Sequence, residues 1–169
     1  MVPLRIMNDA LEPSNITFQP GTIHVNLSPH GFYRWAMHFY VCRQQFRCPD
    51  SGFSPVPYFL LCRAIELVLK AQHLKRQKQS EVKAQFRHDL LGAYNALDIS
   101  DRVLSQEDKL VLEQANEVYK SKRFEYMSPG DALTGFSKFP DLELLDQVAS
   151  KLLEAASDLD LSGDERLRN

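Results

Sequence analysis

A chain of 169 residues with 44% hydrophobic and 25% charged content has the size and composition of one globular domain, which excludes disordered and fibrous classes. Its formal net charge of −2 supplies no global field toward nucleic acid or an anionic membrane, so binding to either has to rest on a local patch. Cys42, Cys48 and Cys62 are odd in number and make no CxxC pair, so a disulfide framework is not expected and a reducing compartment is.

His38, Cys42 and Cys48 lack the four closely spaced ligands of a structural zinc site, and no metal or other cofactor is expected. The opening MVPLRIMNDALEPS has no apolar signal-type core, and no apolar run is long enough to span a bilayer. The expectation is a cytoplasmic protein without a membrane partner.

Residues 1–30 do not read as helix. ITFQPGTIHVNL (Ile16 to Leu27) alternates loosely around Pro20-Gly21, a pair suited to the centre of a type II turn, and is compatible with a small β-hairpin. From Gly31 the period becomes helical, with Phe32, Trp35, Ala36, Phe39 and Tyr40 on one face as far as about Phe46. This face reads as core or dimer interface, with a base-stacking platform as the alternative. CPDSGFSPVP (Cys48 to Pro57) is turn chemistry, with Ser54 as a cap and Pro55 or Pro57 suited to a first helical turn.

PYFLLCRAIELVLKAQH (Pro57 to His73) is the stretch around which the domain is expected to form. Wound at 100° per residue, Arg63, Glu66, Lys70 and His73 fall within an arc of roughly 80°, and apart from Gln72 the other directions are apolar. A helix apolar nearly all round is a buried one. The prediction is therefore a central helix with one charged seam, followed by a basic polar run from His73 to Lys83 that reads either as a solvated helix end and loop or as a phosphate-contacting patch.

A third helix is predicted over about Glu81 to Asp98, capped by Ser80, with Val82, Phe86, Leu90, Ala93, Tyr94 and Leu97 as its stripe. Asp89 borders that stripe and His88 lies close to opposite it. A fourth helix, about Ser105 to Phe124, carries Val111, Leu112, Ala115, Val118 and Tyr119. EYMSPGDALTGFSKFPD is a long Gly/Pro/Ser-rich loop of the kind that is often functional. A last helix from Asp141 to about Leu159 carries Leu145, Val148, Ala149, Leu152, Leu153 and Ala156. With no βα alternation, the expected fold is all-α. It is a four- to five-helix bundle over 31–160, preceded by the extended or hairpin segment 1–30 and followed by a flexible tail, 161–169.

The seam admits three readings. Glu66 and Lys70, at i and i+4 in the favourable order, form an internal ion-pair network with Arg63 or Asp89 as further partners. Alternatively Arg63, Lys70 and His73 meet an anionic ligand in a cleft. Or His88 works as a base with Arg63. Arg123 and Tyr126, at the end of the fourth helix, read either as a solvated helix terminus or as a cation and ring that reach a phosphate or base.

Three strings, AIELVLKA (Ala64 to Ala71), RHDLLGAYNAL (Arg87 to Leu97) and YKSKRFEYM (Tyr119 to Met127), resemble the HEPN domain superfamily (higher eukaryotes and prokaryotes nucleotide-binding). That family pairs an E-x-x-LK-A helix with a helix opening H-x-L and a later helix ending Y-x-x-R-Y. In this chain three residues separate Tyr119 from Arg123, and Phe124 follows. The resemblance spans about Pro55 to Met127 and implies a helical bundle, commonly homodimeric. Some members are metal-independent ribonucleases, and others are inactive binding or partner-docking domains.

The ribonucleases of that family carry Arg and then His with four to six residues between them, one to hold phosphate and one to move a proton. Here only three residues separate Arg34 from His38, and Arg87 adjoins His88, so the pattern is absent. The expectation is a non-catalytic binding or regulatory module for a nucleotide, RNA phosphate or partner protein. Its candidate residues are Arg63, Glu66, Lys70, His73, Asp89, Arg123 and Tyr126. Two alternatives stand beside it: a ribonuclease whose site, such as His88 with Arg63 or Arg123, is assembled across the fold or a dimer, and a structural protein whose seam is purely internal.

Overall fold

The computed structural model of the chain describes residues 28–48, 50, 52–124, 129–133 and 136–161, and among them the structure is an all-α bundle. The hairpin expected over Ile16 to Leu27, and all but the first residue of the expected tail, lie outside the described residues. No described helix is long and apolar enough to cross a membrane.

Helix α1 (Pro29–Gln45) starts where Ser28 Oγ accepts a hydrogen bond from the Gly31 amide, with Pro29 fixing the first helical φ. It buries Gly31, Tyr33 and Ala36, with Phe32, Met37, Phe39 and Tyr40 packed partly against the core. Trp35 corrects the expected face: at 61% exposure it points to solvent. Apolar residues nearly encircle α1, so periodicity alone did not choose which of them turn inward.

Helix α2 (Val56–His73) is the centre. It packs on α1, on α4 (Leu90–Asn95), on α5 (Gln106–Lys120) and on α7 (Leu142–Ala155). Leu61, Ala64, Ile65 and Ala71 are sealed from water. α1 and α2 run antiparallel, since Phe39 lies 6.0 Å under the Arg63 guanidinium while Phe32 sits near Leu74.

The third expected helix is two. Helix α3 (Gln79–Phe86) ends at Arg87, whose φ of 47° is outside the helical region, and α4 begins after Asp89. An aspartate gains more as an N-cap than inside a helix. Asp89 Oδ1 accepts from the Gly92 amide at 2.9 Å, and Asn116 Oδ1 accepts from the Leu90 amide at 2.7 Å. A Cβ at Gly92 would come within 3.0 Å of that carboxylate, so a larger residue would crowd the cap. At the other end of α3, Glu81 accepts from the Lys78 amide in place of the expected Ser80 cap.

After the short 3₁₀ turn Ile99–Asp101, helix α5 opens on a capping box: Ser105 Oγ accepts from the Asp108 amide and Asp108 Oδ2 from the Ser105 amide. It closes with Lys122 in the left-handed region at φ 57°, the Arg123 amide bonded to the Val118 carbonyl and the Lys122 amide to that of Tyr119. The short α6 (Pro129–Leu133) follows, then α7, capped by Asp141, and a final turn α8 (Asp158–Leu161) that rests on α1 through His30 Nδ1 and the Leu159 carbonyl, 2.9 Å apart. Tyr94, fully buried between α2 and α5, accepts from the Leu104 amide through its hydroxyl.

Candidate functional site

Glu66 is 3% exposed, near the midpoint of α2, and is the one buried carboxylate among the described residues. An isolated carboxylate there would be driven to its neutral form. Four side chains instead converge on it. Arg63 Nη1 donates to Oε2 at 2.8 Å, Lys70 Nζ donates to Oε1, the Tyr119 hydroxyl donates to Oε2, and His88 Nδ1 stands 3.4 Å away.

Burial pushes the Glu66 carboxyl up, but the Lys70 and Tyr119 hydrogen bonds and the charges of Lys70 and Arg63 together hold it below the usual carboxylate range. Burial, then the neighbouring carboxylate, pushes the Tyr119 phenol up, so it stays protonated as a donor. Burial works against the charge of Arg63, yet Glu66 and Tyr119 raise the guanidinium above its ordinary value.

Lys70 has a second acceptor. Its Nζ donates to the Arg87 carbonyl at 2.7 Å, so the unusual backbone at the α3–α4 break points an oxygen back at the seam. Non-glycine residues at such φ values cost on the order of 1–3 kcal/mol and persist where their surroundings hold them.

This hub forms one end of an open groove of about 700 Å³. Its floor is the seam face of α2, with Arg63, Glu66, Leu67, Lys70 and Leu74. Phe32 of α1 forms one wall, and α3 with the α3–α4 break, from Gln79 to His88, forms the other. Four permanent cations, Arg63, Lys70, Lys83 and Arg87, line it together with His88, against the single carboxylate Glu66. Among the described residues no carboxylate pairs with Lys83 or Arg87. The groove is thus electropositive on a chain that is slightly acidic overall.

Arg63, Glu66, Lys70 and His88 are therefore brought together. The remaining expected residues are not. His73 turns away: Nε2 lies 2.9 Å from the Ala93 carbonyl, and its ring stacks on Phe86 at 4.3 Å, so it ties α2 to α4 and α3. Asp89 does not join the seam. Besides its capping role it pairs with Lys120 at 2.7 Å, and that hydrogen bond, together with the Gly92 amide, outweighs burial and keeps its carboxyl below the ordinary value. Arg123 sits half-buried beyond α5 and does not line the groove. Tyr126 lies outside the described residues.

Three residues of the groove and hub are not singled out by the sequence. Lys83 closes the basic run from His73, which reads either as a solvated helix end and loop or as a phosphate-contacting patch, and Arg87 lies beyond that run. Tyr119 reads as part of an apolar stripe, and the signal there is its hydroxyl: a buried tyrosine needs a partner, and in the structure that partner is Glu66 of α2.

No protein-family model, curated protein or solved structure matches the chain.

Proposed function

We propose that the chain is an HEPN-like binding module that takes a phosphate-bearing ligand, a nucleotide or RNA, in the α1–α2–α3 groove and does not cleave it. One observation carries this reading: four permanent cations line the groove against one carboxylate, whose oxygens are already engaged. Lys83 and Arg87 can meet phosphate without giving up an internal partner, while Arg63 and Lys70 add charge from positions fixed by Glu66. The apolar lining of Phe32, Leu67, Leu74 and Val82 suits a ligand that is more than bare phosphate. The same reading carries a cytoplasmic homodimer.

Fluorescence anisotropy with a labelled mixed-sequence 12-nucleotide RNA tests it. Affinity is expected to fall with salt, at a log–log slope of about −0.7 per phosphate neutralised. Lys83→Glu, on an exposed position, should weaken binding several-fold and flatten that slope. Salt-independent binding, or none in folded protein at low salt, refutes the reading.

A second reading rests on Arg63 and His88 contacting the same carboxylate. Glu66 orients an imidazole that is half in solvent, and a phosphate-holding cation lies beside it. That is the pairing a metal-independent ribonuclease would use. Cleavage of the same RNA in EDTA by the unaltered protein, lost in His88→Ala, would establish it over the non-catalytic module.

A further inference from the structure

One turn before Arg63, α2 carries Phe59, and this ring stands outside the groove at its Arg63 end. It is 39% exposed although it belongs to the most central helix. Phe124 meets it at a centroid distance of 5.9 Å and an interplanar angle of 71°, and Tyr119 at 6.4 Å and 53°. No described ring lies parallel to it, so its packing leaves parallel stacking unused.

Its surroundings connect it to the hub. The Tyr119 ring has Phe59 on one side and His88 edge-on at 5.7 Å on another, and its hydroxyl is bonded to Glu66. Positions 59 and 63 are separated by about 6 Å along the helix axis and about 40° around it. Residues 59 and 63 are thus neighbours on one face of α2, with the Arg63 guanidinium held on Glu66 and over Phe39 and the Phe59 ring held against Tyr119 and Phe124.

The length of the surface sets the ligand class. From Leu74 at one end to Phe59 at the other, the α2 face is about 22 Å long, more than one nucleotide covers. The cations lie between these ends. An acidic peptide would satisfy the charges but has no use for an open ring at the exit, whereas a strand of nucleotides has both the charge and the flat face.

We propose that Phe59 is a base-stacking subsite, and that the ligand of the groove is single-stranded RNA running along α2 with a phosphate on Arg63 and the adjoining base on Phe59. This rests on the phosphate-binding reading of the groove and adds a base contact that the reading does not require. Stacking on an aromatic ring is tolerant of base identity, so the subsite gives preference for a strand with bases and little sequence selection.

The test compares an eight-nucleotide RNA with a fully abasic ribose–phosphate strand of the same length and charge, by anisotropy, on unaltered protein, Phe59→Ala and Phe59→Trp. The expected result is that unaltered protein binds the base-bearing strand about tenfold tighter, that Phe59→Ala reduces this ratio to near one, and that Phe59→Trp keeps it. Equal affinity for both strands on unaltered protein overturns the stacking subsite while leaving the phosphate reading intact, and needs no variant to fold. Retention of the ratio in folded Phe59→Ala overturns it too. Displacement of the RNA by an eight-residue poly-glutamate as effectively as by unlabelled RNA would replace it with an acidic-peptide partner. Binding of neither strand overturns both readings together.

Discussion

Replacing Glu66 with glutamine removes one negative charge and keeps the side chain's size. In the native protein the carboxylate is 3% exposed, and the side chains of Lys70 and Arg63, which it neutralises, are 13% and 30% exposed. Removing one partner of a buried ion pair costs about 3–5 kcal/mol, because the remaining charge is left uncompensated. Arg63 is exposed enough to recover part of its hydration, which places the expected loss near the lower limit, about 3 kcal/mol. For a chain of this length each kcal/mol moves Tm by about 2–4 °C, so Glu66→Gln should melt about 9 °C lower by circular dichroism.

The pH dependence supplies a second handle with a fixed sign. Glu66 titrates below its ordinary value in the folded protein, so its contribution is full above about 4.5 and declines as pH falls through the lower, folded value. The gap between the unaltered protein and Glu66→Gln should therefore narrow on acidification and should not narrow between pH 6 and 8 on account of this group. A destabilisation under about 1 kcal/mol at pH 7, or a gap that widens toward acid, would refute the account of Glu66 as the shared counter-charge of the seam.

Two further outcomes follow from the same geometry. Lys122 ends α5 at φ 57°, where a side chain costs on the order of 1–2 kcal/mol that glycine avoids, so Lys122→Gly should raise stability by about 1 kcal/mol in urea unfolding. His73→Ala should cost about 2–3 kcal/mol by the same assay, since it strips a carbonyl at the end of α4 of its partner and opens the stack on Phe86, yet RNA affinity per folded molecule should not change.

Much of this architecture was legible in the sequence because single residues carry their own physical signals. Ser105 and Asp141 stand at the expected starts of the fourth and last helices, and in the structure each accepts first-turn amides there. The apolar surround of α2 required that it be central, and it is. The break after Phe86 was hidden for a definite reason: Val82, Phe86, Leu90, Ala93 and Tyr94 keep helical spacing across it, since both short helices turn their inner faces to the same core. No Gly or Pro marks the break, and the available clue was Asp89 three residues ahead of Gly92. The seam was readable as a set of charges on one arc, but the helical wheel assigns direction and not neighbours. It could not show that α4 crosses at His73, that α5 brings Tyr119 to Glu66, or that Asp89 spends its carboxylate on a helix start.

The α3–α4 break also divides the groove into parts of unequal durability. The floor belongs to the most deeply buried helix, whose amides are released only when the whole domain opens. The α3 wall is anchored through two buried side chains, Val82 and Phe86, and ends on a residue with an unfavourable backbone angle. Segments so lightly anchored open on their own, at a fraction of the global free energy. The expected outcome in hydrogen exchange is therefore a slow α2 facing a faster α3. A recess built this way would hold a fixed pattern of charge on its floor while its width changed with α3.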